Sequence, residues 1–374
     1  MGQDITVTGM TVHKVRLAVR SERRQGTGAI KDAMTNVYLR LATDAGIVGW
    51  GEAASAAAFP GTTEADMAAL HVHLRPLLIG ADPFRIEALM AKAERTVVHV
   101  PQAKAAMEAA LFDIVGKALR TPVCNLLGGR VRERIPLSFS IANPDLAADV
   151  EMAKRVWADG VRIFKVKTGF AGHGEDLKRL ETLRRALPDA ADLRVDYNQA
   201  LACFDAIAKL RDVERFRPTF IEQPVALDRI DAMAEITRAL DTPIMADESV
   251  FTPAQALAVA SARAADAISI KTMKGGMMRA RRVAAIAEAA GIPCYGGDMA
   301  ESGLGHLAGV HAVAATPNIS LGCEFYQATY YLKEDLLERP FPVEDGQVVV
   351  PTTPGLGIDV DEDKLARATV ERLG

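Results

Sequence analysis

Three carboxylates in the chain each come at the end of a short apolar run. Asp196 ends LRVD, Glu222 follows TFI, and Asp247 follows PIMA. If the fold brings these run ends together, three clustered negative charges are stable only with a cation among them. Oxygen ligands without a histidine or cysteine in the same runs favour Mg2+ or Mn2+ over zinc. We therefore predict that Asp196, Glu222 and Asp247 hold one divalent ion.

Three lysines belong to two further runs of this kind. Lys165 and Lys167 lie in IFKVK, where period-two alternation puts both on one face, and Lys271 ends AISIK. Burying ammonium groups is costly unless carboxylates or a substrate anion compensate. A lysine whose pKa is lowered by nearby cations can take the proton from the carbon α to a metal-bound carboxylate. We predict that Lys167 and Lys271 approach that carbon from opposite sides, while Lys165 lowers the pKa of Lys167 and helps to neutralise the enediolate.

The spacing of the runs indicates which fold positions them. Eight β-rich runs begin 24 to 29 residues apart, separated by Ala-, Leu-, Arg- and Glu-rich stretches of helical periodicity. This alternation predicts an α/β fold of the (β/α)8 TIM-barrel type, whose active sites lie at the carboxyl ends of the strands. An open doubly wound sheet is favoured less, because no glycine-rich nucleotide turn follows the first strand. The runs begin at Ile135, Ile163, Asp192, Pro218, Pro243, Ala267, Ile292 and Ile319.

The barrel interpretation divides the chain into three parts. Residues 131–326 are the catalytic barrel, and residues 327–374 follow its last strand. Residues 1–130 combine a strand hairpin with Ala-rich helices, which predicts an α+β capping domain over one end of the barrel. Two polar stretches of this domain, 21–31 and 55–63, either reach the barrel mouth or are plain surface loops.

The overall composition excludes several classes of partner. Lys and Arg number 44 against 48 Asp and Glu, so the net charge of −4 gives no reason to expect nucleic acid or an anionic membrane. No apolar run is long enough to span a bilayer, and no signal-peptide pattern is seen. The four cysteines lack paired spacing, so we expect a cytoplasmic protein with a small-molecule partner. Residues 1–6 match the short myristoylation pattern, which chance readily produces.

The motifs together are similar to those of a known enzyme family. In chain order they are Lys-x-Lys at 165–167, Asp-x-Asn at 196–198, Glu222, Asp-Glu-Ser at 247–249, Lys271 and Lys-Gly-Gly at 274–276. The set resembles the muconate lactonizing enzyme subgroup of the enolase superfamily over nearly the whole chain. The resemblance implies a capping domain to which the C-terminal segment returns, one Mg2+ or Mn2+ per active site, and proton transfer α to a substrate carboxylate through an enolate. It also implies a homo-oligomer, with an octamer among the sizes considered.

Within that subgroup, the segments after the seventh and eighth strands look most like those of muconate cycloisomerases. They contain Tyr-Gly-Gly at 295–297, then Glu301, then Gly-x-Glu ending at Glu324. The resemblance implies conversion of cis,cis-muconate to muconolactone in aromatic catabolism, with Lys167 as the acid that protonates the enolate. Asp298 departs from the small hydroxyl residue expected in muconate enzymes. The substrate-binding residues that the resemblance implies are Asn198, Asp298, Glu301, Glu324 and Phe325.

Other interpretations of the same residues stay open. A racemase or epimerase of N-acylamino acids or dipeptides, or an o-succinylbenzoate synthase-like dehydratase, would use the same lysines and carboxylates. A Schiff-base aldolase would use a lysine such as Lys167, but then the three carboxylates have no purpose. A non-catalytic barrel would be expected to lack a ligand or a lysine, and none is missing. Arg23 and Arg24 either bind a distal carboxylate or are solvated, and His306 is expected to have a helical packing or surface role rather than to act as a base.

Overall fold

A computed structural model describes residues 5–55 and 61–374, and its N-terminal part is an antiparallel sheet packed against helices. Glycines let the longest of these helices approach the sheet closely, since a Cβ on Gly51 would lie 2.0 Å from the carbonyl oxygen of Ala106. The elements are β1 (Val7–Ala18), β2 (Arg23–Gln25), β3 (Gly28–Ile30), β4 (Ala33–Thr43), β5 (Val48–Ala53), α1 (Thr63–Ala68), a π-helical segment (Ala69–Leu74), α2 (Arg75–Leu78), α3 (Ile86–Thr96), α4 (Pro101–Ala118) and α5 (Val123–Leu126).

The second part is a parallel barrel, which confirms the predicted fold class. Its eight strands follow one another in sequence order, and a bridge between Leu137 and Cys323 joins the two edge strands. The run from Ile135 is two strands rather than one, because β6 (Arg134–Pro136) pairs outside the barrel. The barrel strands are β7 (Ser138–Ile141), β8 (Ile163–Lys167), β9 (Asp192–Asp196), β10 (Ile221–Glu222), β11 (Ile244–Ala246), β12 (Ala267–Ile270), β13 (Cys294–Gly296) and β14 (Ile319–Cys323).

Seven α-helices alternate with the barrel strands. The first begins where the Asp145 side chain accepts hydrogen bonds from the backbone N–H groups of Ala147 and Ala148. After β14 the chain forms a π-helical turn (Gln327–Tyr331) instead of an eighth α-helix. No helix within the described ranges is both long and apolar enough to cross a membrane. The helices are α6 (Leu146–Ala158), α7 (His173–Ala186), α8 (Ala206–Glu214), α9 (Ile230–Ala239), α10 (Pro253–Ala262), α11 (Met277–Ala289) and α12 (Gly303–Ala314).

The C-terminal segment connects the barrel with the N-terminal sheet. Its first two strands, β15 (Val343–Glu344) and β16 (Gln347–Val349), form a small sheet with β6. After α13 (Glu362–Ala368), the last strand β17 (Thr369–Leu373) pairs with β1. We keep the division at 1–130, 131–326 and 327–374 as a proposal.

Two buried glutamates fix the N-terminal domain to the barrel. The Glu108 carboxylate, on α4, accepts hydrogen bonds from the backbone N–H groups of Met277 and Met278 at the start of α11. The Glu52 carboxylate, on β5, accepts from the backbone N–H of Ser302, 2.9 Å away, and of Gly305, 2.7 Å away, at the start of α12. Negative charge at a helix N-terminus is stabilising, so these contacts orient the loops that follow β12 and β13.

Candidate active site

The carboxyl ends of five neighbouring barrel strands bring charged side chains together. Lys167, Asp196 and Glu222 are the last residues of β8, β9 and β10, while Asp247 and Lys271 directly follow β11 and β12. All five are buried. The barrel register therefore gathers at one end residues that are widely separated in sequence, as expected for strand ends.

Lys165 is the centre of a buried charge network. Its Nζ lies 2.8 Å from Glu222 Oε2, 3.3 Å from Asp196 Oδ2 and 2.6 Å from Glu324 Oε2. Burial lowers the pKa of Lys165, but the three carboxylates raise it by more, so the ammonium stays charged. One buried cation thus compensates part of the charge of three buried acids.

Lys167 and Lys271 are bound to carboxylates of different strands. Lys167 Nζ lies 2.5 Å from Asp196 Oδ2 and donates to Asn198 Oδ1 at 2.9 Å. Lys271 Nζ lies 2.5 Å from Asp247 Oδ2, and Lys274 Nζ lies 2.8 Å from the other oxygen of the same carboxylate. The two lysines therefore flank the acidic group from β8 on one side and from β12 on the other.

The pKa of Lys271 lies above its ordinary value, contrary to the lowered pKa expected for a lysine base. Burial lowers the pKa of Lys271, but the Asp247 and Glu222 carboxylates raise it by more. Burial and the neighbouring Asp196 raise the pKa of Glu222 well above the usual carboxyl range. Burial acts on Asp247 in the same direction, yet Lys271 and Lys274 hold the pKa of that carboxyl below its usual range.

In the Asp-Glu-Ser turn after β11, the side chain of Glu248 does not face the direction that strand alternation predicts. Alternation predicts that Glu248 faces the helices, but its Oε1 accepts a hydrogen bond from Asn198 Nδ2 at 3.2 Å on the same side as Asp247. The prediction was wrong because β11 ends at Ala246, so alternation no longer applies. Gln223, which no sequence motif marks, fixes the turn by accepting from the backbone N–H groups of Asp247 and Ser249.

The acidic group fits a divalent cation. Glu222 Oε1 and Glu248 Oε2 are buried and, among the residues that the structure describes, have no hydrogen-bond partner. Buried carboxylate oxygens without a donor are costly unless a cation or water satisfies them. The ligand atoms offered here are all hard oxygens, which is the set that Mg2+ and Mn2+ prefer.

A cavity of about 450 Å³ is lined by both Lys167 and Lys271, which pair with Asp196 and Asp247 of this group. The stretch 21–31 reaches the barrel mouth as the β2–β3 hairpin, whose Gly26 packs so tightly that a Cβ would lie 2.3 Å from the carbonyl oxygen of Tyr197. The second predicted loop contributes Ser55 and residues 62–63 to the lining. Residues 56–60 of that loop, like residues 1–4 of the myristoylation pattern, lie outside the described residues.

Arg23 lies in the cavity wall with its guanidinium already engaged. It donates to the Ser140 carbonyl oxygen at 2.9 Å and to Ser140 Oγ at 2.8 Å, and it stacks over the rings of Tyr326 and Tyr331. Arg24 is half-exposed and pairs with Glu22. Both tyrosines line the cavity, and sequence analysis missed them because neither belongs to a recognised motif.

The predicted substrate-binding residues fall into two groups. Asn198, Asp298 and Glu324 line the cavity. Glu301 and Phe325 are buried behind it: Glu301 Oε2 accepts from the backbone N–H of Met299, and the Phe325 ring stacks on His306 with centroids 5.0 Å apart. Tyr326 and Tyr331, rather than Phe325, are thus aromatic residues of the cavity wall.

His306 is buried in α12, as expected, but it also faces two acids. Its Nε2 lies 3.8 Å from Asp298 Oδ2, and single ligand atoms of Asp298, Glu301 and His306 all lie within 4.8 Å of one another. Burial lowers the pKa of His306, but these acids raise it by more. Burial and the charge of Asp298 raise the pKa of Glu301 to about 7.

A parallel barrel under a capping sheet, with charged residues gathered at the carboxyl ends of its strands, is the architecture of the enolase superfamily. The family description "Mandelate racemase / muconate lactonizing enzyme, N-terminal domain" matches residues 9–128, and "Enolase C-terminal domain-like" matches residues 148–364. The chain belongs to this family of the enolase superfamily. It is an enzyme of the isomerase class, and family members typically bind a divalent metal.

Relatives with different activities are similar to the chain. It is 34% identical over 337 residues to muconate cycloisomerase 1 of Acinetobacter baylyi, covering 88% of this chain and 91% of that protein. It is 35% identical to the N-succinyl-L-Arg/Lys racemase of Bacillus cereus, covering 97% and 98%. A crystal structure of a muconate cycloisomerase from Azorhizobium caulinodans is 47% identical, with a TM-score of 0.85 and 99% of each chain covered.

Proposed function

We propose that the chain transfers protons at the carbon α to the carboxylate of a small organic acid, with Lys167 and Lys271 acting from opposite sides. The observation that carries this proposal is that both ammonium groups line one cavity while they are bound to carboxylates of different strands. A substrate carboxylate bound beside Asp196 and Asp247 would place its α-carbon between the two lysines. Proton transfer by a positioned side chain requires this proximity.

Asp196, Glu222 and Asp247 would hold one Mg2+ or Mn2+. When bound, the ion supplies Lewis-acid stabilisation of the negative charge that develops on the substrate carboxylate. Lys165, which contacts Asp196 and Glu222, keeps the buried acids partly neutralised. Lys167 and Lys271 hold and move the proton, and the Glu324 carboxylate orients Lys165 from the β14 side.

Two substrate classes follow from this chemistry. The muconate cycloisomerase relatives and the Glu324 motif favour cycloisomerisation of cis,cis-muconate, with Lys167 delivering the proton. The racemase relative and the carboxylate of Asp298 in the cavity wall favour racemisation or epimerisation of an amino-acid derivative, with the two lysines exchanging the proton. We further propose that the chain is cytoplasmic and forms a homo-oligomer. Light scattering after size-exclusion chromatography tests the oligomeric state.

The test is turnover of a small panel with and without metal. The purified chain is assayed with cis,cis-muconate, N-acylamino acids, dipeptides and free amino acids, following loss of diene absorbance or α-proton exchange in D2O by NMR. We expect turnover of at least one compound, abolished by EDTA and restored by Mg2+ or Mn2+. Activity that EDTA leaves intact, or trapping of a lysine adduct by borohydride, would contradict the proposal.

A further inference from the structure

Asp298 places a carboxylate in the wall of the cavity near the two lysines. It follows β13, lines the same cavity as Lys167 and Lys271, and its side chain is 10% exposed. Its Oδ2 is buried and, within the described part of the chain, has no hydrogen-bond partner, since His306 Nε2 at 3.8 Å is beyond hydrogen-bond range. His306 is thus an ion-pair partner of Asp298 without a hydrogen bond at this distance, so the carboxylate would gain from a donor that a ligand supplies.

The surroundings of Asp298 keep it ionised. Burial raises its pKa, but His306, Lys271 and Lys165 lower it by more, so the pKa of Asp298 lies below its usual range. His306 does not line the cavity, because its ring is packed between Phe325 and Phe341. The histidine therefore lies behind Asp298 and orients the carboxylate from that side.

A negative charge here distinguishes between the two substrate classes. A dicarboxylate would bring a second carboxylate into a cavity of about 450 Å³ that already contains Asp298, and like charges at short range in a buried site repel strongly. Arg23 keeps its positive charge in the cavity wall, but two of its N–H groups already donate to Ser140 and its guanidinium stacks on two tyrosine rings, so it is not positioned to pair with a second carboxylate. A cationic nitrogen in the cavity would instead be attracted to the Asp298 carboxylate.

We infer that the substrate is an α-amino acid with a positively charged nitrogen, free or N-methylated, which Asp298 binds. This inference rests on the proposed proton transfer and names its substrate class. One lysine takes the α-proton as the C–H bond breaks, and the lysine opposite donates a proton as a new C–H bond forms. The product is the same compound with the opposite configuration at the α-carbon, so no oxidant, reductant or second substrate is needed.

The test compares matched compounds in D2O with Mg2+ or Mn2+. Free and N-methylated amino acids are incubated with the enzyme beside the N-acetyl derivatives of the same amino acids and cis,cis-muconate, and α-deuteration or diene loss is measured. We expect deuteration and epimerisation of one or more of the charged amines with the highest kcat/KM of the panel. Turnover of N-acetyl compounds or muconate in preference to every charged amine would overturn the inference and leave the proposed function intact, whereas no turnover of any compound would overturn both.

The variant Asp298→Asn tests the role of the charge. It should lower kcat/KM for the charged amine at least about 30-fold, because one partner of a buried charge pair is removed. It should also strengthen inhibition by muconate, a gain that unfolding cannot produce. Asp231→Asn is the matched control, since Asp231 is an exposed carboxylate that pairs with Arg229 and does not line the cavity, and it should change kcat/KM for the amine less than about threefold. If Asp298→Asn lowered kcat/KM equally for the amine and the N-acetyl substrates, that result would contradict the inference.

Discussion

The charge balance of the site depends on Lys165 more than on any other single side chain. Its ammonium is within 3.3 Å of three carboxylates, all of them buried. Removing one partner from a buried network leaves the others uncompensated, which costs far more than losing an exposed ion pair.

We therefore expect Lys165→Met to lower the free energy of unfolding by about 3 kcal/mol and to remove most turnover. The change is measured by urea unfolding in EDTA, so that no metal compensates the acids. Lys154→Met, which removes an exposed lysine paired with Glu151, is the control and should cost less than about 0.5 kcal/mol. Equal stability of the two variants would refute the role given to Lys165.

At the residue scale, the sequence predicted which side chains lie in the site better than it predicted their protonation states. The lysines and carboxylates lie where the strand-end pattern placed them. The pKa of Lys271 could not be predicted, because it depends on how close Asp247 and Glu222 come. The orientation of Glu248 was missed, because it depends on where β11 ends.

Among the elements, α4 and α11 are joined by a contact that should make stability depend on pH. Burial raises the pKa of Glu108 to about 7, even though the backbone N–H groups of Met277 and Met278 donate to its carboxylate. The folded state then binds this proton more tightly than the unfolded state does. The free energy of unfolding contributed by Glu108 is therefore largest below the ordinary carboxyl pKa and falls as the pH rises through about 7.

We expect Glu108→Gln to remove this dependence, because the amide keeps an acceptor oxygen and carries no charge. From pH 5 to pH 8, the free energy of unfolding of the variant should rise relative to that of the wild type by up to about 3 kcal/mol. This follows from about 1.4 kcal/mol for each unit by which the pKa of Glu108 is raised. Urea unfolding at several pH values measures the difference, with the exposed Glu151→Gln as control. A parallel pH profile for wild type and Glu108→Gln would show that Glu108 does not titrate in this range.

The positions of helices and strands could be predicted where the sequence periodicity is strong. They were missed where a pairing partner distant in sequence determines the strand boundaries. The barrel strands begin within a few residues of the runs that predicted them. The run from Ile135 contains both β6 and β7, and only the pairing of β6 with β16 separates them. The polar stretch 21–31 is a hairpin over the barrel mouth because its backbone bonds to Ala142, a contact that local sequence does not encode.

At the scale of the whole molecule, the barrel turns distant residues into one site. The two cavity lysines come from strands separated by β9, β10 and β11, each of which contributes one acid. The N-terminal sheet contributes residues 33–36 of β4 to the cavity wall, and β17 ties the C-terminal segment to that sheet. Both cavity lysines are buried, and burial strengthens their electrostatic interactions with the neighbouring carboxylates.

The most direct test is turnover of the best substrate by Lys167→Ala and Lys271→Ala at saturating Mg2+. Since we propose that the two lysines act on opposite faces of one carbon, we predict that each variant loses at least about 100-fold in kcat. Unchanged circular dichroism and unfolding midpoints would show that the fold is kept. Near-normal turnover in either variant would contradict the assignment of proton transfer to this pair.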